Sequence, residues 1–80
     1  LTSFDHADIY GAYTTEAEFG NALRQMKIQR ESIQLITKCG INMPCNIRPE
    51  YQVKAYDTSA AFIIESAERS LRNLQIDYID

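Results

Sequence analysis

Three side chains with complementary acid–base chemistry stand out in the sequence: the carboxylate of Asp5, the phenol of Tyr10 and the amine of Lys38. Asp5 and Tyr10 lie five positions apart in the segment FDHADIYG, and Lys38 ends the apolar run of LITK. A positive charge beside a phenol favours the phenolate, and a carboxylate beside the amine keeps that charge in place. Brought together, the three groups would form a site for proton transfer near neutral pH.

The elements that would position these groups alternate between strands and helices. Apolar and β-branched residues predict a strand that ends at Asp5 and a second strand over Ile33–Lys38. Between them, Thr15-Glu16-Ala17-Glu18 has the pattern of a capping box, which predicts the start of an amphipathic helix. Gly20 inside this helix suggests that its backbone closely approaches the sheet. The predicted apolar face of the helix comprises Phe19, Ala22, Leu23 and Met26.

The second half of the chain predicts a long loop, a second helix and a third strand. Residues 39–57 have no sustained periodicity, and connections of this length are often functional. Either this loop selects substrates, or its larger side chains merely pack. The side chains in question are Met43, Tyr51 and Tyr56. The helix that follows would be capped by Asp57, Thr58 or Ser59, and its apolar stripe would be Ile63, Ile64, Ala67, Leu71 and Leu74. Residues 76–80 then predict the third strand, which gives the order β-α-β-α-β.

Two other polar side chains near Asp5 have structural rather than catalytic interpretations. Side chains alternate along a strand, so Asp5 would face one side of the sheet while Phe4 and His6 face the other. We therefore expect His6, the only histidine, to pack between sheet and helix. Asp8 follows at the strand-to-loop passage, where a turn or cap residue is expected.

The segments FDHADIYG, YTTEAEFGNAL, LITKCGI and SAERSLRNLQIDYID, in this order, resemble those of the aldo-keto reductases. The resemblance covers nearly the whole chain and is weakest between Asn42 and Val53. It implies an α/β fold, the (β/α)₈ or TIM barrel. It also implies an oxidoreductase that moves a hydride between NADPH, or NADH, and a small aldehyde or ketone.

The resemblance also implies roles for individual residues. Asp5, Tyr10 and Lys38 match three members of the family's catalytic tetrad, with Tyr10 as the general acid and Asp5 near the nicotinamide ribose. The fourth member is a histidine, which we expect beyond Asp80. His6 departs from the commonest family pattern, since its position usually carries a small hydroxyl residue.

Length and composition set further expectations. A TIM barrel takes about 250 residues, so residues 1–80 would be a truncated β-α-β-α-β portion, an incomplete domain with no internal boundary. We expect this portion to be inactive alone and to need the remainder of the barrel for stability, because its cut edges would be uncovered. A net charge of −3 and the lack of a basic cluster argue against a nucleic-acid partner. No apolar run approaches membrane-spanning length.

The two cysteines, Cys39 and Cys45, are too few for a disulfide framework, and with one histidine they do not suggest a metal site. Reduced thiols in a cytoplasmic enzyme are the expected state, with Cys39 open to oxidation because it adjoins Lys38.

Two other classes of protein fit the same sequence. A non-catalytic barrel could serve as a regulatory or binding subunit, although the presence of all three tetrad residues argues against it. A small autonomous α/β interaction module is the other, and cooperative unfolding of the 80 residues as a monomer would indicate it.

Overall fold

The computed structural model describes residues 2–80, which form two helices and two small sheets. The elements are β1 (Ser3–Asp5), α1 (Thr15–Met26), a 3₁₀ turn (Arg30–Ser32), β2 (Gln34–Ile36), β3 (Ile41–Asn42), β4 (Ala55–Tyr56) and α2 (Ala60–Leu74). Neither helix of this part of the chain has the length and apolar character needed to cross a membrane.

Strands β1 and β2 form the parallel pair on which the site is built. Ser3 pairs with Gln34 and Asp5 with Ile36, and α1 provides the crossover between the strands. Leu35, at the centre of β2, is fully buried. The two predicted strands and their adjacency are therefore confirmed, although each is shorter than the sequence pattern suggested.

The capping box predicted at the start of α1 is wrong. Thr15 is already the first helical residue, and the N-cap is Thr14, whose side chain makes no capping bond. Instead, the Thr14 hydroxyl donates to the carbonyl oxygen of Gly11 at 2.7 Å and stabilises the preceding turn. The next residue, Glu16, is directed into the interior and is only 1% exposed.

Gly20 mediates close packing of α1, but against α2 rather than against the sheet. A Cβ atom at Gly20 would lie 2.8 Å from the carbonyl carbon and 2.9 Å from the Cα of Leu74, closer than real Cβ contacts. The backbones therefore touch where α2 ends, and an alanine at this position would force the two helices apart.

Each predicted apolar stripe is buried only in part. In α2 the buried residues are Ser66, Ser70 and Leu74, whereas Ile63 and Ile64 are exposed. In α1, similarly, Glu16 and Gly20 are buried and Met26 is exposed. The two helices are joined by a side-chain hydrogen bond at this interface, from the Ser70 hydroxyl to the Glu16 carboxylate at 3.0 Å. Ser59 caps α2 by accepting a hydrogen bond from the amide of Phe62 at 3.3 Å, as one of the three predicted candidates.

Residues 76–80 lie beside β2 but do not form the predicted regular strand. The Asp80 amide donates to the carbonyl of Leu35 at 3.0 Å. Its carboxylate accepts from the Leu35 amide at 2.9 Å and pairs with Arg30 at 2.8 Å. The Leu35 amide therefore donates its hydrogen bond to the Asp80 side chain, and not to a backbone carbonyl as in a regular strand pair.

Candidate active site

Asp5, Lys38 and Tyr10 converge at the carboxyl ends of β1 and β2. Backbone hydrogen bonds continue beyond the paired residues of β1 and β2. The His6 amide donates to the carbonyl of Ile36 at 2.7 Å, and the Asp8 amide donates to the carbonyl of Lys38 at 2.9 Å. These bonds hold the loop after β1 against the residues that follow β2. Lys38 forms an ion pair with Asp5, and its ammonium nitrogen lies 5.9 Å from the centre of the Tyr10 ring.

The ion pair keeps the amine of Lys38 charged. Its hydrogen bond to Asp5 is the largest cause that raises the pKa of Lys38, with smaller contributions from the charges of Asp5 and Tyr10. The side chains of Lys38 and Asp5 are 50% and 66% exposed, so the ion pair adds little to folding stability. Its consequence is local: a fixed positive charge faces the phenol ring.

A cavity of about 320 Å³ opens beside Tyr10 and Lys38. Tyr10 and Lys38 line it together with Asp8 and Cys39, and apolar side chains complete the wall. The Tyr10 hydroxyl makes no hydrogen bond to any group of residues 2–80. The site therefore combines a proton donor, a positive charge and an apolar surface in one concavity, as small-molecule sites do.

The prediction for His6 is confirmed. Its imidazole is 9% exposed, and the ring centre lies 4.3 Å from that of Phe19 on α1. Phe4 meets the same helical side chain at 5.1 Å. Phe4 and His6 thus face α1, while Asp5 between them points to the opposite face, where Lys38 lies.

Tyr13 is a functional candidate that the sequence analysis missed. Tyr13 is only 5% exposed. Its hydroxyl donates a hydrogen bond to the Ile41 carbonyl at 3.0 Å and accepts one from the Met43 amide at 2.8 Å. Burial is the main cause that raises its pKa. The guanidinium of Arg48 lies 4.8 Å from its ring centre. Tyr13 therefore anchors the long loop to the segment that carries Tyr10.

The backbone between Tyr10 and α1 is strained. Gly11, Ala12 and Tyr13 have φ values of 61°, 53° and 72°, and only the first lacks a side chain that disfavours this conformation. The two hydrogen bonds of the Tyr13 hydroxyl help hold this backbone. A lone tyrosine in a loop carries no sequence signal for such a role.

The long loop at residues 39–57 contains a small antiparallel hairpin, β3 with β4, that the sequence did not predict. Of the three side chains considered for substrate selection, Tyr51 packs near Tyr13, with ring centres 6.0 Å apart. Tyr56 is 78% exposed. Met43 contacts the Tyr13 hydroxyl through its backbone amide. Of the three side chains, that of Tyr51 has a packing contact, in line with the structural alternative for this residue.

The two cysteines are free thiols. Burial, followed by the negative charge of Asp8, raises the pKa of Cys39. A higher pKa means less thiolate at neutral pH, but Cys39 is exposed, so its sensitivity to oxidation stays a prediction.

Asp8 lies in a turn, as predicted, but its carboxyl group is partly buried. Burial raises the pKa of Asp8 to about 6, the charge of Glu16 adds to this, and a hydrogen bond from Ile9 opposes it. The ordinary value is 3.8, so the folded protein holds a proton here over a range in which the unfolded chain has lost it.

This shift predicts that Asp8 makes stability depend on pH. Stabilisation by the bound proton is fully present below pH 3.8 and is lost as the pH rises to about 6. Across that window, we expect the free energy of unfolding of the wild-type full-length protein to fall by about 1–2 kcal/mol relative to that of Asp8→Asn, after allowance for partial exposure. Thermal unfolding at several pH values measures the difference. The exposed Asp77→Asn should keep the wild-type pH dependence, and parallel profiles for wild type and Asp8→Asn would contradict the prediction.

Comparison with known proteins places this geometry in context. The Aldo/keto reductase family model matches residues 1–80. An uncharacterized oxidoreductase, YcsN, of Bacillus subtilis is 52% identical over 80 residues, all of this chain and 27% of its own. A 6-dehydroglucose reductase of Agrobacterium fabrum is 44% identical over the same 80 residues, again 27% of its length.

Among solved structures, aldo-keto reductase AKR11C1 from Bacillus halodurans in its holo form superimposes with a TM-score of 0.79 and 36% identity. All of this chain aligns with 24% of that protein. The chain thus spans about a quarter of the length of the relatives it matches. Its fold is a truncated α/β portion of a TIM barrel, as predicted.

Proposed function

The chain belongs to the aldo/keto reductase family, and we propose that the full-length protein reduces an aldehyde or ketone with NADPH or NADH, with Tyr10 as the general acid. The observation that supports this most strongly is the position of Lys38, which pairs with Asp5 and faces the Tyr10 ring at 5.9 Å. Oxidoreductase relatives over the whole chain support the reaction class.

Each of the three residues has one role in the proposed mechanism. The Tyr10 hydroxyl donates a hydrogen bond to the carbonyl oxygen, and its proton moves to that oxygen as the alcohol forms. The ammonium of Lys38 stabilises the negative charge left on the phenol oxygen. Asp5 holds Lys38 charged and directed toward the ring.

The residues present fit one part of a nicotinamide cofactor. One carboxylate oxygen of Asp5 pairs with Lys38, and the side chain remains 66% exposed. It is therefore accessible to accept hydrogen bonds from ribose hydroxyls. When bound, the cofactor would supply the hydride that reaches the carbonyl carbon.

The relatives and the exposed surfaces support the remaining proposals. A relative named 6-dehydroglucose reductase supports a small carbonyl compound as substrate. Ile36, Ile63 and Ile64 are 44%, 43% and 59% exposed, which supports a need for the remainder of the barrel. We propose a single barrel domain with no boundary inside residues 1–80, and a cytoplasmic location, which suits the free thiols.

An assay of the full-length protein tests this function directly. Purified protein is mixed with NADPH or NADH and a panel of sugar aldehydes and simple ketones, and cofactor absorbance is followed. We expect oxidation of the cofactor that depends on both protein and carbonyl compound. Cofactor that binds without turnover of any carbonyl would instead indicate the non-catalytic barrel.

A further inference from the structure

We propose that Glu16 is a positioning residue, which holds Lys38 in its orientation toward Asp5 and Tyr10 through a hydrogen bond to Thr37. The inference deepens the proposed function and rests on it. Glu16 has a buried carboxylate, and it takes no part in the mechanism proposed for Asp5, Tyr10 and Lys38.

Glu16 joins three elements of the fold. It is the second residue of α1 and only 1% exposed. One carboxylate oxygen accepts from the Thr37 hydroxyl at 2.7 Å, and the other accepts from the Ser70 hydroxyl of α2 at 3.0 Å. Burying a carboxyl group is unfavourable unless its oxygens are hydrogen-bonded, and the two hydroxyl groups meet this requirement for Glu16.

The bond to Thr37 matters because Lys38 lies beyond the regular ladder. Strand β2 ends at Ile36, so strand pairing alone does not fix the next two side chains. Neighbouring side chains in an extended segment point in opposite directions. Fixing Thr37 against Glu16 on the helical side therefore turns Lys38 to the opposite side, where Asp5 and the cavity lie.

A second contact fixes the backbone at the same place. The Asp8 amide donates to the Lys38 carbonyl at 2.9 Å. This bond sets the position of Lys38, and the bond from Thr37 to Glu16 sets its rotation. Small errors in position at a reacting centre can cost a large part of the rate, so the arrangement has a kinetic consequence.

The two hydrogen bonds of Glu16 can be broken separately. Thr37→Val removes the link to the segment that follows β2 with almost no change in shape, and Ser70→Ala removes the link to α2. If Glu16 positions Lys38, Thr37→Val lowers kcat of the full-length enzyme by about tenfold and leaves the KM for the cofactor within about twofold. Ser70→Ala lowers Tm but leaves kcat within about twofold of wild type. Thr37→Ser, which keeps the hydroxyl, restores most of the lost activity.

A readout that does not need activity separates this inference from the proposed function. The hydrogen bond to Asp5 raises the pKa of Lys38, so a misdirected Lys38 loses that shift. NMR titration of isotope-labelled lysine should show the Lys38 pKa falling toward its ordinary value in Thr37→Val but not in Ser70→Ala. If this pKa difference is found but the wild-type protein turns over no carbonyl compound, the proposed reductase function is refuted while the positioning role of Glu16 stands. Equal effects of the two variants on kcat, or an unchanged Lys38 pKa in Thr37→Val, would overturn the inference.

Discussion

Replacing Tyr10 with phenylalanine in the full-length protein should lower kcat for carbonyl reduction by at least about 100-fold while cofactor binding is retained. The substitution removes only the hydroxyl, which has no hydrogen-bond partner within residues 2–80, from a residue that lines the cavity. Without it, the proposed mechanism has lost the group that gives its proton to the carbonyl oxygen. Steady-state kinetics and a fluorescence titration with NADPH measure the two effects separately.

Tyr78→Phe is the matched control for this experiment. Tyr78 is 46% exposed and does not line the cavity beside Tyr10, so loss of the same hydroxyl there should leave turnover and stability nearly unchanged. If Tyr10→Phe retains more than about a tenth of the wild-type kcat, the proposed proton donor is wrong.

Lys38→Met should lower kcat by a similar factor, about 100-fold, and shift the pH–rate profile to higher pH. The variant keeps a side chain of comparable length but removes the positive charge that faces the phenol at 5.9 Å. Without that charge, the negative charge that develops on the phenol oxygen during the reaction loses its electrostatic stabilisation. A pH–rate profile of both proteins under saturating cofactor shows the shift.

Lys54→Met provides the control, because Lys54 is an exposed lysine of the long loop. It should leave the pH–rate profile where it is. Should Lys38→Met behave in the same way, Lys38 would have no part in the chemistry, and its pairing with Asp5 would be only structural.

The sequence predicted the parts of the site that depend on local pattern. Alternation along β1 was enough to place His6 against Phe19 and Asp5 on the opposite face. Two short apolar runs joined by a helix indicated adjacent parallel strands, so that Asp5 and Lys38 would meet at one edge. These predictions needed only the period of a strand and the connectivity of a βαβ unit.

What the sequence could not predict depends on contacts between distant segments. The sequence analysis assigned Glu16 no role of its own within the capping-box pattern, because its partner Ser70 is 54 positions away. Tyr13 anchors the hairpin across 28 positions, which no local pattern records. The predicted apolar stripe of α2 is fully buried only at Leu74, because Ile63 and Ile64 lie on a surface that residues 2–80 do not cover.

The convergence of Asp5, Tyr10 and Lys38 on a carbonyl group is tested most directly by a crystal structure of the full-length protein with NADP⁺ and a carbonyl ligand. We predict that the ligand oxygen lies about 2.7–3.0 Å from the Tyr10 hydroxyl oxygen, with Lys38 still paired to Asp5 and directed at the phenol. A ligand oxygen bound by other residues, with Tyr10 turned out of the cavity, would contradict the account.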